Sequence, residues 1–255
     1  TLSHTNAIWK ERMPNHTYNE YQIRKDEPVN ARYYYRTNGL VNLDKSNMPS
    51  YQPEAYQKPG CPIIVDLNGD GLITVEDVDM KNVIPSLYWG FGNTFTYKNW
   101  DLDVFIYSQL GVDKYNDVYS WTSGRGLGNQ TNNMSVYIKD VWHSELNPNG
   151  TIPGIAYEMA SVSLPGGAGT DIGYENSSFV RVRNITLGYN FKPNQLGALS
   201  KLLSGIRVYV DVQNPFTFTG YTGLDPEVNT GGNYKGGKAE YPQTRTFSLG
   251  AKLSF

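Results

Sequence analysis

Residues 247 to 255 read Phe247-Ser-Leu-Gly-Ala-Lys-Leu-Ser-Phe255, with an apolar side chain at every second position up to the terminal aromatic. In a strand, successive side chains point to opposite faces, so Phe247, Leu249, Ala251, Leu253 and Phe255 make one wall and Ser248, Gly250, Lys252 and Ser254 the other. Two architectures accept such a strand: a barrel wall with lipid outside and a polar interior, and the edge of a soluble sandwich with one solvated face. The rest of the chain discriminates between them.

The same alternation recurs upstream. Ile206, Val208, Val210 and Val212 share one face, opposite Arg207, Tyr209, Asp211 and Gln213, and charge on the second face suits a wet lumen better than a closed core. Ile185, Leu187, Tyr189 and Phe191 share a parity that, carried backward, reaches Arg183 and Arg181. Either the strand leaves the hydrocarbon there or a bulge resets its faces. Trp89 to Tyr97 and Trp100 to Leu110 flank a Lys98-Asn99 turn and form a tight hairpin, with Trp100, Leu102, Val104, Ile106 and Leu110 outward and Asp101, Asp103, Tyr107 and Gln109 inward. Trp89 and Trp100 suit the aromatic girdles at a membrane interface. Tyr18 to Arg24 and Ala31 to Thr37 are a further candidate strand pair.

Connection lengths supply an independent test. The Lys98-Asn99 turn is short, and the Lys192 to Gly205 connection is modest, with a helix-like Leu-Gly-Ala-Leu-Ser-Lys-Leu-Leu centre. Long insertions run from about Val112 to Ser178 and from Pro215 to Thr244. Outer-membrane barrels alternate short periplasmic turns with long extracellular loops, whereas a sandwich gives no reason for such alternation. Five to seven strands cannot close a barrel, because bacterial single-chain barrels start at about eight, so the chain is expected to be part of something larger.

Composition agrees and excludes other classes. No apolar run approaches the ~20 residues of a membrane helix, and 20 Tyr with 26 Gly and 18% charged residues is a β-type balance. A formal charge of −2 gives no reason to expect nucleic acid as a partner. The single Cys61 excludes an intrachain disulfide. His4, His16 and His143 are scattered, with no nucleophile elbow or zinc-spaced histidine pair, so the chain reads as a non-enzyme.

Asp66-Leu-Asn-Gly-Asp-Gly-Leu-Ile-Thr-Val-Glu-Asp77 fits the twelve-position loop of an EF-hand. Calcium needs six to eight oxygens, and Asp66, Asn68, Asp70, the Leu72 carbonyl, Thr74 and Asp77 stand at the ligand positions, with Gly71 at the sharp turn. The final Asp is shorter than the usual Glu. No long helix pair flanks the loop, so a Ca2+ staple is expected rather than a switch.

Several segments together resemble the C-terminal part of a SusC/RagA-like TonB-dependent outer-membrane transporter of Bacteroidota. They are Pro59-Gly60 ahead of the calcium-type loop, Gly90-Phe-Gly-Asn-Thr-Phe-Thr-Tyr-Lys-Asn-Trp-Asp-Leu102, Ser178-Phe-Val-Arg-Val-Arg-Asn-Ile-Thr-Leu-Gly-Tyr189, Gln213-Asn-Pro-Phe through Asp225-Pro-Glu227, and Tyr241-Pro-Gln-Thr-Arg-Thr-Phe. The resemblance implies an all-β fold. Residues 1–255 would be the last strands of a large antiparallel transmembrane β-barrel of about 22 strands with long extracellular loops, and residues 59–86 an extracellular EF-hand-like loop within it. It also implies energy-coupled import of oligosaccharide or peptide across the outer membrane, with the rest of the barrel and its plug, outer-membrane lipid and a SusD-like lid lipoprotein as partners. TonB would act through an N-terminal part that the sequence lacks.

The residues themselves support the cargo or lid contact through Tyr115, Tyr119, Trp121, Tyr137, Trp142 and Tyr157, which lie among Asn and Gly in the long insertion. Loop packing is the competing role for these aromatics. A secreted, calcium-stabilised carbohydrate-binding module explains the calcium loop and the aromatics but not the terminal strand or the loop alternation.

Overall fold

The computed structural model describes residues 1–4, 7–11, 24–29, 31–116, 134–154, 164–228 and 241–255. Among them the regular structure is all β, with short 3-10 turns and no α-helix. The strands are β1 (Leu2–His4), β2 (Arg32–Tyr35), β3 (Thr37–Leu40), β4 (Pro62–Ile64), β5 (Val78–Lys81), β6 (Leu87–Tyr97), β7 (Trp100–Leu110), β8 (Asp113–Tyr115), β9 (Tyr174–Asn176), β10 (Phe179–Phe191), β11 (Gly205–Thr219) and β12 (Thr246–Ser254).

Six of them make one antiparallel sheet in the order β1-β6-β7-β10-β11-β12. The β6–β7 hairpin closes on Lys98 and Asn99, with Tyr97 opposite Trp100 and Lys98 at a φ of 57°, as the tight two-residue turn requires. Register carries the face assignment across strands. Phe95, Leu102, Leu187, Val210 and Leu249 form one continuous row, while Thr94, Asp103, Thr186, Asp211 and Ser248 form the adjacent row on the other face. The apolar rows are exposed: Val210 is 47% and Leu249 78% accessible, and Val208, Phe247, Leu253 and Phe255 are exposed too. Tyr97, Trp100 and Tyr189 share a row at the short-turn end, where the Trp100 and Tyr189 rings meet edge to face at 4.8 Å. Trp89 lies on the same face of β6, about 26 Å from Tyr97 along the strand, close to the roughly 25 Å height of a barrel's apolar band.

The parity conflict at Arg181 and Arg183 is settled by a bulge. Val182 pairs with Ile106 and Asn184 with Phe105, so Arg183 is an extra residue on β10. β11 accommodates it with two residues, Asn214 and Pro215, between Gln213 and Phe216. Asn214 takes a positive φ of 49°, and Pro215 sits where no ladder hydrogen bond is asked of it. Beyond the bulge, Val182 and Phe216 are again on the apolar face and Arg181 is on the polar one.

Several expectations are corrected. β11 runs on through the bulge to Thr219, so the long connection begins after Thr219 and not at Pro215. The Ala31 to Thr37 strand breaks into β2 and β3, paired with β5 and β4, and its candidate partner, from Tyr18 up to residue 23, lies outside the described residues. Of that partner only Arg24 lies among the described residues, and it is not in a strand. The Leu-rich turn after β10 consists of two 3-10 turns, Pro193–Gln195 and Gly197–Lys201.

The close-packed core lies outside the six-stranded sheet, in the long connections. Tyr33, Tyr35, Tyr56, Cys61, Ile64 and Val78 of the residue 31–86 block pack together with Leu164 and Ala168 of the 112–178 insertion. Buried Gln52 acts as a strand substitute there: its side chain donates to Pro62 O at 2.8 Å and accepts from Ile64 N at 3.1 Å. Tyr35 Oη lies 2.9 Å from Thr74 O and 3.0 Å from Pro165 O and shares its one proton between these two carbonyls, joining the two connections through a buried hydroxyl.

Arginine placed on the apolar row in a bilayer is expected to cost about 2 to 4 kcal/mol near the midplane and far less on the polar row. Val210→Arg is therefore expected to destabilise the complete protein in lipid vesicles, with Ser248→Arg close to neutral, as read by denaturant titration. Equal losses from the two substitutions would contradict the assignment of faces.

Candidate functional site

Charged and polar side chains on the polar face of the sheet pair with one another across strands. Arg207 reaches across β10 to make a two-pronged ion pair with Asp101, and Asn190 Nδ2 donates to Asp101 Oδ1 at 2.6 Å. The pair can cross only because Gly188 lies beneath it: a Cβ there would meet Asp101 Oδ2 at 2.6 Å and Arg207 Nε at 2.7 Å. Thr186 Oγ1 donates to Asp211 Oδ1 at 2.6 Å one row higher.

At the end from which the long connections rise, the bulge aims Arg181 into a buried cluster. Its guanidinium is 2% exposed and pairs with Asp225 at 2.8 Å and Glu227 at 2.5 Å, while Nε donates to Thr217 Oγ1 at 2.9 Å. Arg183 adds a longer contact to Glu227, 3.4 Å. The segment after β11 is thus folded back onto the polar face. Lys114 of β8 donates to the carbonyls of Pro226 and Val228, and Glu175 of β9 accepts from Thr222 N and Oγ1 at 2.8 Å each. In the sequence Arg181 shows only as a conflict of strand parity, and Asp225-Pro-Glu227 only as part of the family resemblance. The partnership spans more than forty positions and has no local signal.

The aromatic residues of the insertion divide. Tyr119, Trp121 and Tyr157 lie outside the described residues. Tyr115 stands on β8, where its ring meets Tyr174 at 5.2 Å. Trp142 covers Gly60, whose φ is +79°; a Cβ there would come within 2.3 Å of the indole. That contact fastens the insertion to the Pro59-Gly60 turn, together with Gly154 N donating to Gly60 O at 3.0 Å. Tyr137 is partly exposed, between exposed Val136 and Ile138.

The EF-hand-like loop is turned by its own side chains. Asp66 Oδ1 accepts from Gly69 N at 2.6 Å and Oδ2 from Gly71 N at 2.8 Å, and Asp70 Oδ1 accepts from Leu72 N at 2.8 Å. Asp77 is buried and accepts from Leu67 N at 2.9 Å and Thr74 N at 2.7 Å. Among the described residues no three His, Cys, Asp or Glu side chains converge to hold a metal by themselves, so the Asn68 amide and the Leu72 carbonyl are needed to complete a donor set.

Burial alone would raise the Asp225 pKa, but the N–H groups of Glu227 and Gln243 and the Arg181 guanidinium together hold it below the ordinary range. A depressed carboxylate contributes stability above its unfolded pKa of about 3.9, and that stability is lost as pH falls through the folded value. Protection of residues 220–228 from hydrogen exchange is expected to persist at pH 5 and to disappear only below about pH 3.9. Arg181→Met takes the guanidinium away from the buried Asp225 carboxylate and leaves Glu227 only its longer contact with Arg183, and is expected to weaken this anchoring by about 3 kcal/mol at neutral pH. Unchanged protection in Arg181→Met would show that the cluster does not hold the segment.

No protein-family model matches the sequence. Among curated proteins, the chain is 33% identical over 208 residues to TonB-dependent receptor SusC of Bacteroides thetaiotaomicron, covering 79% of this chain and 19% of that protein. It is 28% identical over 242 residues to TonB-dependent receptor P3 of Formosa agariphila, covering 91% of this chain and 23% of that protein. The fold matches the RagAB peptide transporter with a TM-score of 0.66 at 23% identity, over 97% of this chain and 24% of that one. It also matches the RagAB peptide importer in its open-open state, with a TM-score of 0.59 at 25% identity, over 88% of this chain and 22% of that one. The chain thus spans only about a fifth to a quarter of the length of these relatives. With the two-faced antiparallel sheet in place and a relation to SusC that runs through most of its length, the chain belongs to the SusC/RagA-like TonB-dependent receptors, proteins of the bacterial outer membrane.

Proposed function

We propose that the chain forms one arc of the wall of an energy-coupled outer-membrane importer, and that its long connections shape the extracellular mouth. The observation that carries this reading is the sheet itself: its apolar face is exposed, and the outer edges of β12 and of β6 beyond Gly90 have no ladder partner among the described residues. Unpaired backbone groups and an apolar wall of this size are tolerable in a membrane only when neighbouring strands close the ladder. In this reading the complete barrel has about 22 strands and encloses a plug coupled to TonB. A secreted carbohydrate-binding module would leave the exposed wall unexplained.

The cargo in this reading is an oligosaccharide or a peptide, and a SusD-like lipoprotein covers the mouth. Exposed Val136 and Leu146, 73% and 84% accessible, lie on the Trp142-anchored connection and supply apolar surface for such a lid. Cells expressing the complete receptor are expected to deplete members of a mixed pool of oligosaccharides and peptides in a TonB-dependent way, as followed by mass spectrometry of the medium. A lipoprotein is expected to co-purify and to be lost with Val136→Asp plus Leu146→Asp. Depletion that persists without TonB or without the receptor would sink the import reading.

The second part of the proposal is a Ca2+ ion held by Asp66, Asn68, Asp70, the Leu72 carbonyl, Thr74 and Asp77. The donor set fits a hard cation, and the N–H of Gly71, followed by those of Gly69 and Asp70 and the neighbouring Asp77 carboxyl, keeps Asp66 ionised below the usual carboxylate range. The ion supplies charge neutralisation for the acidic oxygens. The chain's own backbone N–H groups pre-turn the loop, and Tyr35 on Thr74 O ties it to the core beneath. Calcium at a hundredfold excess over Kd is expected to stabilise the native loop by about 2.7 kcal/mol, read as protease resistance around residues 66–77 of the complete receptor. Asp70→Asn should remove most of that protection, and a loop indifferent to both calcium and chelator would be evidence for a metal-free turn.

A further inference from the structure

At the short-turn end of the sheet, the Lys98-Asn99 turn and the connection from Lys192 to Ser204 are fastened side by side. Asn99 Nδ2 donates to Gln195 Oε1 at 2.8 Å, and the Asn99 and Gln195 amides each donate to the Tyr189 hydroxyl at 3.3 Å. Lys192 N donates to the same Gln195 oxygen at 3.0 Å. Tyr189 belongs to the outward row with Tyr97 and Trp100, so these bonds draw the start of the connection to the apolar side of the wall. The 3-10 turn that follows leaves Leu199 and Leu202 exposed, Leu202 by 74%.

Three lysines border this surface. Lys98 holds its ammonium 5.2 Å from the centre of the outward Tyr97 ring, Lys192 opens the connection, and Lys201 ends its second 3-10 turn; all three are exposed. Neither turn contains an aspartate or glutamate, and among the described residues none of the three lysines takes part in an ion pair. Asp101, next to the aromatic row, faces the other way and is held by Arg207. Exposed leucines beside unpaired ammonium groups, at the end of an apolar wall, match a lipid interface: the leucines gain by entering the acyl layer, and the lysines by staying at its rim. A free anion would use the lysines alone and leave Leu199 and Leu202 in water, whereas a phospholipid engages both. Close to an anionic membrane surface each lysine is worth about fivefold in affinity.

We propose that the short-turn end of the wall is a docking surface for anionic phospholipid headgroups, held by Lys98, Lys192 and Lys201 with Leu199 and Leu202 in the acyl boundary. The proposal rests on the reading of the sheet as an arc of the barrel wall, which sets the short turns at the periplasmic leaflet, and adds a lipid preference to it. The test is titration of the delipidated complete receptor in neutral detergent with dioleoyl phosphatidylglycerol and dioleoyl phosphatidylcholine, bound lipid being counted by native mass spectrometry. Phosphatidylglycerol is expected to bind at least about tenfold more tightly than phosphatidylcholine. Lys98→Gln, Lys192→Gln and Lys201→Gln together are expected to erase that preference and to leave phosphatidylcholine binding unchanged, while each single substitution removes part of it. Lys252→Gln, on the opposite face, is expected to keep it. Equal binding of the two lipids by the unsubstituted receptor, or a preference that survives the triple and single substitutions, would overturn the docking surface and leave the wall reading standing. A receptor that stays in solution without detergent and takes up neither lipid would overturn the wall reading itself.

Discussion

A side chain on a membrane-spanning strand has only two directions available, and in hydrocarbon a charge can take only one of them. Everything in the six-stranded sheet follows from keeping that parity: Asp101 and Asp103 of β7 share one face with Arg207 and Asp211 of β11, and Leu102, Leu187, Val210 and Leu249, one on each of four successive strands, share the other. The parity fails once, at Arg183, and there β10 changes phase by one residue, while the two extra residues on β11 leave its phase unchanged. Without that bulge Arg181 would point outward beside Phe218 and Phe216. With it, the same arginine becomes the buried anchor of the segment that follows β11.

The anchor links the sheet to its long connections. A strand pair has no means of fixing a long connection beyond its root, and such connections are ordinarily the most mobile part of a barrel. Here the connections hold one another. Trp142 lies over Gly60, Tyr35 bridges Thr74 and Pro165, and Lys114 and Glu175 grip the segment pinned by Arg181. The hydrophobic core of the chain therefore sits in its connections, because the sheet spends its apolar side chains on the outer wall.

Periodicity made the wall legible. Strands β6, β7, β10, β11 and β12 alternate with a period of two, and the Lys98-Asn99 turn and the Leu-rich connection give their joints. Short-range chemistry likewise marked the acidic loop at Asp66 to Asp77, since its ligand positions are set by spacing along the chain. β1 was not legible, because three residues leave no room for a pattern. The break of residues 31–40 into two strands was also hidden: β2 and β3 turn to different partners, and partner choice is a long-range property.

The sequence by itself determined the two faces of the sheet and the alternation of short and long connections, because both depend on the order of neighbouring residues and on the fixed two-residue repeat of a strand. Only the tertiary structure decided what the charged and aromatic residues of the connections do. Arg181 with Asp225, Trp142 with Gly60, and Thr37 with Asp171 are meetings of distant segments. Each is set by where a bulge rotates a strand and where a packed core brings loops together, and neither can be read from spacing along one chain.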